Sequence, residues 1–382
     1  MNESNVITNM KSTIFKESNS NSNSNEEGEA IPLITFNTST KQFSINENAE
    51  KFLKKISGPI GVVAVAGMYR TGKSYLLNRM LLNRSNGFSV GPSINPCTKG
   101  LWIWSKPVNG HASDGTPLNV LIIDTEGIGA TDEDQNHDSK IFTLGLLLSS
   151  YFIFNSQNSI DENSIQNLSF IVNITKNIQI NNHKEDLDPK DYANFLPKFM
   201  WVLRDFSLQL KNSDGEKISS KEYLEKCLET QKGYSDSIEQ KNKIRNLLKD
   251  FFKERDCSTL VRPLTDEENL QNLSKMELSN LRPEFAEQVI NIRKKILHKV
   301  KPKTLKGQNL NGEMFCNMID SYVKAINKGA VPVIENAYSF ICKNECFKAM
   351  KNSIEIYERY MNENFTKKMP IKENELNKLH KE

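Results

Sequence analysis

The 382-residue chain has a formal net charge of +3, with 37% hydrophobic and 25% charged residues. That balance suits a globular protein with one large core or two smaller ones. It excludes a bulk electrostatic pull toward nucleic acid or acidic membrane, and no basic stripe interleaved with aromatics supplies a local one.

The first residues are predicted to form an Asn/Ser-rich tail over 1–29, which has too few apolar groups to offset its ordering entropy. It shows neither an apolar signal core nor a Met-Gly start, and the far end of the chain shows no prenylation box, so the expectation is a cytoplasmic protein. Residues 32–46 alternate like a short strand pair. The run IGVVAVA over 60–66 is continuous, apolar and rich in β-branched residues, as a buried parallel strand requires. A glycine-bearing loop follows, then helical spacing over 75–82. Strands are predicted over 101–105, 120–123 and 199–203, with a weaker one over 258–261, and a helix over 164–177. The longest apolar stretch, 141–154, is shorter than the roughly 20 residues a membrane span needs; it reads as part of a buried helix over 139–154. From about residue 266 the pattern is helical, through 266–278, then a helix after Pro283, another over 312–327, and a long one opened by Pro332. In that last helix Ile334, Tyr338, Ile341, Met350, Ile354, Tyr357, Met361 and Phe365 make an apolar stripe. Strands alternating with helices predict an α/β domain with a mostly parallel sheet over 30–310, followed by a short helical region over 311–382. The six cysteines show no zinc-type pairing and read as reduced thiols, and the five histidines form no metal-binding pair on a helix.

The stretch Gly67-Met68-Tyr69-Arg70-Thr71-Gly72-Lys73-Ser74 fits the phosphate-binding pattern G-x-x-x-x-G-K-[ST] at every fixed position, and Tyr75 begins the helix behind it. The two glycines let the loop curl so that its amides point at anionic oxygens, and the helix start adds a positive dipole end. Lys73 reaches the β and γ phosphates, while the Ser74 hydroxyl can ligand Mg²⁺. Fifty residues beyond Ser74 a strand ends in Asp124-Thr125-Glu126-Gly127, followed by Ile128, a place from which carboxylates can support the metal and an amide can meet the γ-phosphate. Between them Val90, Gly91 and Pro92 open a loop that runs to Pro96-Cys97-Thr98-Lys99-Gly100, where Thr98 is a second candidate metal ligand and the loop a candidate nucleotide-sensitive switch. The common guanine reader Asn-Lys-x-Asp is absent from a suitable place. Arg204-Asp205 follows a strand instead, and its carboxylate can accept from guanine N1–H and the exocyclic amine. A structural ion pair and an ATP-specific site remain open at this point. Arg70, inside the loop, reads either as a charge that swings over the phosphates or as a solvated loop residue.

These residues resemble the guanylate-binding proteins, large dynamin-related GTPases. The resemblance rests on GMYRTGKSYLLN at 67–78, TKGLW at 98–102, DTEG at 124–127 and LRDFS at 203–207, and extends through 147–156, 257–263 and 335–338. It implies a GTPase domain followed by the start of a helical bundle, with Mg²⁺ as cofactor and GTP and GDP as ligands. Arg70 would be an internal arginine finger, Lys73 the phosphate lysine, Ser74 and Thr98 the Mg²⁺ ligands, Glu126 an organiser of catalytic groups and Asp205 the guanine reader. The segment around 257–262 would neighbour a cap over the base. Family members dimerise through the nucleotide face, and some release GMP as well as GDP. Pro96 stands where the resemblance leads one to expect a serine that positions the attacking water. That departure motivates an alternative, a GTP-gated binding module with little or no hydrolysis, read by a protein partner. Membrane association, found in some relatives, has no support in these residues.

Overall fold

The computed structural model of the chain describes residues 27–90, 99–112, 114–129, 135–168, 178–181, 189–233, 235–364 and 369–380. Its centre is a nine-stranded sheet: β1 (Ala30–Asn37), β2 (Gln42–Ile45), β3 (Ile60–Gly67), β4 (Leu101–Trp104), β5 (Val108–His111), β6 (Pro117–Thr125), β7 (Tyr151–Gln157), β8 (Lys198–Arg204) and β9 (Arg255–Thr259). Their order is β2-β1-β4-β6-β3-β7-β8-β9, with β5 paired to β6. β6, β3, β7, β8 and β9 run parallel, whereas β1, β2, β4 and β5 pair antiparallel at the other side.

Period-two alternation explains why every residue of β3 is buried. Val62, Ala64 and Ala66 join the core on one face, while Val63 and Val65 join the core on the other. The second face is covered by α2 (Lys73–Met80) and α6 (Pro283–Lys299), through Leu76, Leu77, Met80, Phe285, Val289 and Ile292. The first face is covered by α1 (Glu47–Lys54), α3 (Gln135–Leu148), α4 (Ser220–Cys227) and α5 (Asp236–Phe251). The helical region continues that same core. α7 (Gly312–Asn327) is capped by the Asn311 side chain, which accepts from Met314 N, and it buries Phe315, Met318, Ile319 and Tyr322. At Gly312 a Cβ would come 2.0 Å from Leu53 O, so only glycine lets α7 start against α1. α8 (Ile334–Asn364) buries Ile334, Ala337 and Ile341, but the predicted stripe then emerges: Met350, Ile354 and Tyr357 are exposed. Phe365 lies outside the described residues.

Three expectations need correction. The supposed helix over 139–154 is the end of α3 followed by β7. Ser149 closes the helix, its hydroxyl donating to Leu146 O, and Ser150 N donates to Val62 O, entering the sheet; hydrophobicity was continuous across a change in backbone. The weaker strand lies at Arg255–Thr259 rather than 258–261. The helical pattern over 266–278 yields only one turn, Glu267–Leu270, then two 3₁₀ turns. Of the helix expected over 164–177, Glu162–Gln166 forms, and 169–177 lie outside the described residues.

One buried charge carries a pH signature. Lys303 is buried, and its ammonium donates to Leu147 O and Ser149 O at 2.6 and 2.8 Å, just where α3 ends. Burial lowers its pKa from 10.5 to about 7. Between those values the unfolded chain holds more protons than the folded one, so stability rises with pH across that window. From pH 7 to 9 the native protein should gain about 2 kcal/mol relative to Lys303→Met, read by urea unfolding of both proteins. Equal changes in the two would remove Lys303 as the cause.

Candidate functional site

The carboxyl ends of β3, β6, β7 and β8 lie side by side at one edge of the parallel sheet, the edge where such folds bind ligands. Gly67 ends β3 at φ +154°, and a Cβ there would lie 2.1 Å from Asn155 O on β7. The loop then curls. Arg70 is exposed at φ +67°, a left-handed conformation unusual for a non-glycine residue, and its guanidinium stands 5.6 Å from the Tyr69 ring centre. Gly72, also left-handed, begins α2. Inside the curl Thr71 Oγ1 and Lys73 Nζ both donate to Met68 O, at 2.8 and 3.2 Å. Asn155 Nδ2 and Arg204 Nη1 donate from outside to the Thr71 and Gly72 carbonyls. Lys73 is 7% exposed. Burial lowers its pKa, and the carboxylates of Asp124, Glu126 and Asp138 oppose that shift.

The end of β6 locks onto this loop. Tyr69 N donates to Ile128 O and Ile128 N to Gly67 O, so Met68 and Ile128 form a bridge. A Cβ on Gly127 would meet Tyr69 Cα at 2.7 Å. The Thr125 hydroxyl donates to Val65 O, so that side chain serves the sheet. Ser74 Oγ donates to Asp124 Oδ2 at 2.5 Å, pairing a hydroxyl and a carboxylate at the first turn of α2. Two hard oxygens so placed fit a Mg²⁺ ion in ligand type. Glu126 Oε2 accepts from Gly100 N at 2.8 Å and lies 3.2 Å from His137 Nε2. Gly91, Pro92 and Thr98 lie outside the described residues, as do Pro96 and Cys97.

Beyond Gly72 a cavity of about 330 Å³ is lined by Arg70, Tyr75, Val90, Gln157, Arg204 and Asp205 on one side and by the 270–274 segment on the other. Asp205 also borders a neighbouring cavity with Arg262 and Arg282. Tyr75 is buried beside two guanidinium groups, those of Arg79 and Arg204, 5.4 and 5.7 Å from its ring centre. Arg79 in turn donates to the carbonyls of Leu273 and Met276, tying the 270–281 segment to the helix behind the phosphate loop.

A phosphate-type loop, a hydroxyl–carboxylate pair and a cavity of about 330 Å³ whose lining includes the Asp205 carboxylate are thus assembled at one sheet edge. Residues 40–305 match the family model of the guanylate-binding protein N-terminal domain, and residues 306–382 that of its C-terminal domain. The chain belongs to the guanylate-binding protein family. It is 36% identical over 343 residues to human guanylate-binding protein 4, covering 88% of this chain and 53% of that protein. With human guanylate-binding protein 2 it shares 36% over 336 residues, 86% of this chain and 56% of the relative. With guanylate-binding protein 1 of Chlorocebus aethiops it shares 35% over 336 residues, with the same coverage. The chain spans about half the length of the curated relatives it matches.

For this family member the sequence alone left out several residues at the site. The helix expected over 139–154 takes in the first four residues of β7, so the sequence does not show that this strand carries Asn155 and Gln157 to the loop. His137 was one of five scattered histidines, and its sole signal was its place shortly after DTEG. The segment over Arg204 and Tyr75 came from residues 270–276, whose helical spacing pointed to a different conformation. No helix among the described residues is long and apolar enough to cross a membrane.

Proposed function

We propose that this chain is a Mg²⁺-dependent GTPase that hydrolyses GTP to GDP, with GMP an open second product, and dimerises through its nucleotide face when loaded. It would act in the cytoplasm. The observation that carries the reading is one cavity bordered by both the phosphate loop at Arg70–Gly72 and the Arg204–Asp205 pair. Asp205 would accept from guanine N1–H and its amine. Loop amides and Lys73 would hold the phosphates; a phosphate beside Lys73 would favour the ammonium that burial disfavours. Ser74, with Asp124 behind it, and Thr98 would hold the Mg²⁺. When bound, that ion neutralises charge on the phosphate oxygens. Arg70, exposed on the loop, would bring its guanidinium to the γ-phosphate, and Glu126 would fix the loop that carries Thr98. Family membership supports the guanine nucleotide.

The test is to incubate the purified protein with GTP or ATP and Mg²⁺ and resolve the products by chromatography over time. GDP, with or without GMP, from GTP and little change in ATP are expected. Tight GTP binding with no product would replace the enzyme with a nucleotide-gated module.

A further inference from the structure

His137 is the third residue of α3 and is 7% exposed. Its Nε2 meets the same Glu126 oxygen that receives the Gly100 amide. An ionised carboxylate only accepts, so this contact requires the imidazole to carry its proton on Nε2. Gly100 is itself tightly seated. Its carbonyl accepts from Glu126 N at 2.9 Å, and at φ +72° a Cβ would lie 2.3 Å from Ile34 O. The imidazole packs on the β1–β2 hairpin: it stacks on Phe43 at 5.6 Å with an interplanar angle of 12° and lies 4.6 Å from Phe36, whose ring touches that of Phe43. The hairpin is fixed in turn from the helical region. Asn327, the last residue of α7, donates to Phe43 O and accepts from Phe43 N, at 2.7 and 2.8 Å.

Glu126 alone could take other rotamers, and its bond to Gly100 would then lapse. With His137 packed against two aromatic rings, the carboxylate oxygen that receives the Gly100 amide has a second fixed partner. We propose that His137 is a positioning residue: it holds Glu126 on the Gly100 amide and so sets the end of the loop that carries Thr98. The consequence for turnover rests on the GTPase reading, whereas the consequence for Gly100 does not.

The experiment compares the native chain with His137→Ala and with His137→Gln, whose amide retains a donor. Hydrogen exchange of a peptide spanning 99–104 is measured beside single-turnover phosphate release from GTP and GTP affinity. Loss of a hydrogen bond to a charged group predicts about tenfold faster exchange at Gly100 in His137→Ala. Turnover should fall about tenfold with GTP affinity within about twofold of native, and His137→Gln should restore both exchange and turnover. Unchanged exchange in His137→Ala overturns the proposal, and so does equal perturbation by Gln and Ala, which would mark the ring as packing alone. Faster exchange with native turnover overturns its link to the reaction. A native chain that releases no phosphate sinks the GTPase reading, while the exchange comparison still decides whether His137 positions Glu126.

Discussion

Arg70→Ala should lower single-turnover phosphate release from GTP by about 10³-fold, while GTP affinity stays within about threefold of the native value. The separation of the two effects follows from where the side chain sits. Arg70 is exposed, over the face of Tyr69, whereas the proposed phosphate cradle would use the loop backbone and the buried Lys73. On the proposed reading, ground-state binding would have its own partners, and the guanidinium would act where charge builds up on the transferring phosphoryl group. Its backbone at φ +67° is a conformation that costs a non-glycine residue something to hold. Alanine keeps a Cβ and so keeps that backbone cost, which makes the substitution a test of the charge rather than of the loop. Native turnover in the variant would remove the internal finger; a parallel loss of affinity would make Arg70 a phosphate-binding residue instead.

The loop that bears Arg70 is legible in the sequence because its spacing expresses backbone geometry, whereas the finger role comes from the family resemblance. Gly67 has no room for a Cβ beside Asn155 O, and Gly72 turns left-handed into α2. Such requirements leave fixed residue types at fixed intervals. The same holds for β3, whose complete burial appears as an unbroken apolar run. Residues defined by distant neighbours left no such mark. β7 continues the apolar run of α3, and the break at Ser149–Ser150 is polar but brief, so the sequence does not show that a strand delivers Asn155 and Gln157 to the loop. His137 lies in a polar stretch, and its burial depends on Phe36 and Phe43 from the beginning of the chain. The segment after residue 266 has leucines at helical spacing. Its carbonyls at Leu273 and Met276 instead accept from Arg79, and a tertiary partner of this kind overrides a local pattern. The phosphate-type loop is therefore legible in the residues, whereas the 270–274 wall of the cavity and the support behind Glu126 arise only from the folded topology.

That division bears on the base. Asp205→Asn should weaken GTP about 10- to 100-fold and make xanthosine triphosphate the better ligand, measured as affinities for GTP, xanthosine triphosphate and ATP in both proteins. A carboxylate offers two acceptors, matching the N1–H and amine of guanine; a carboxamide offers one acceptor and one donor, matching the N1–H and C2 carbonyl of xanthine. The backbone permits the exchange. Asp205 sits at φ +56°, and asparagine shares the tolerance of aspartate for that region. Its neighbour Arg204 stays on Gly72 O and over Tyr75, so the phosphate loop keeps its support and any change in preference reports the base contact. An equal loss for all three nucleotides would make Asp205 a structural partner of Arg204, whose charge it favours. An unchanged preference would place base recognition elsewhere in the cavity, with the 270–274 segment the next wall to test.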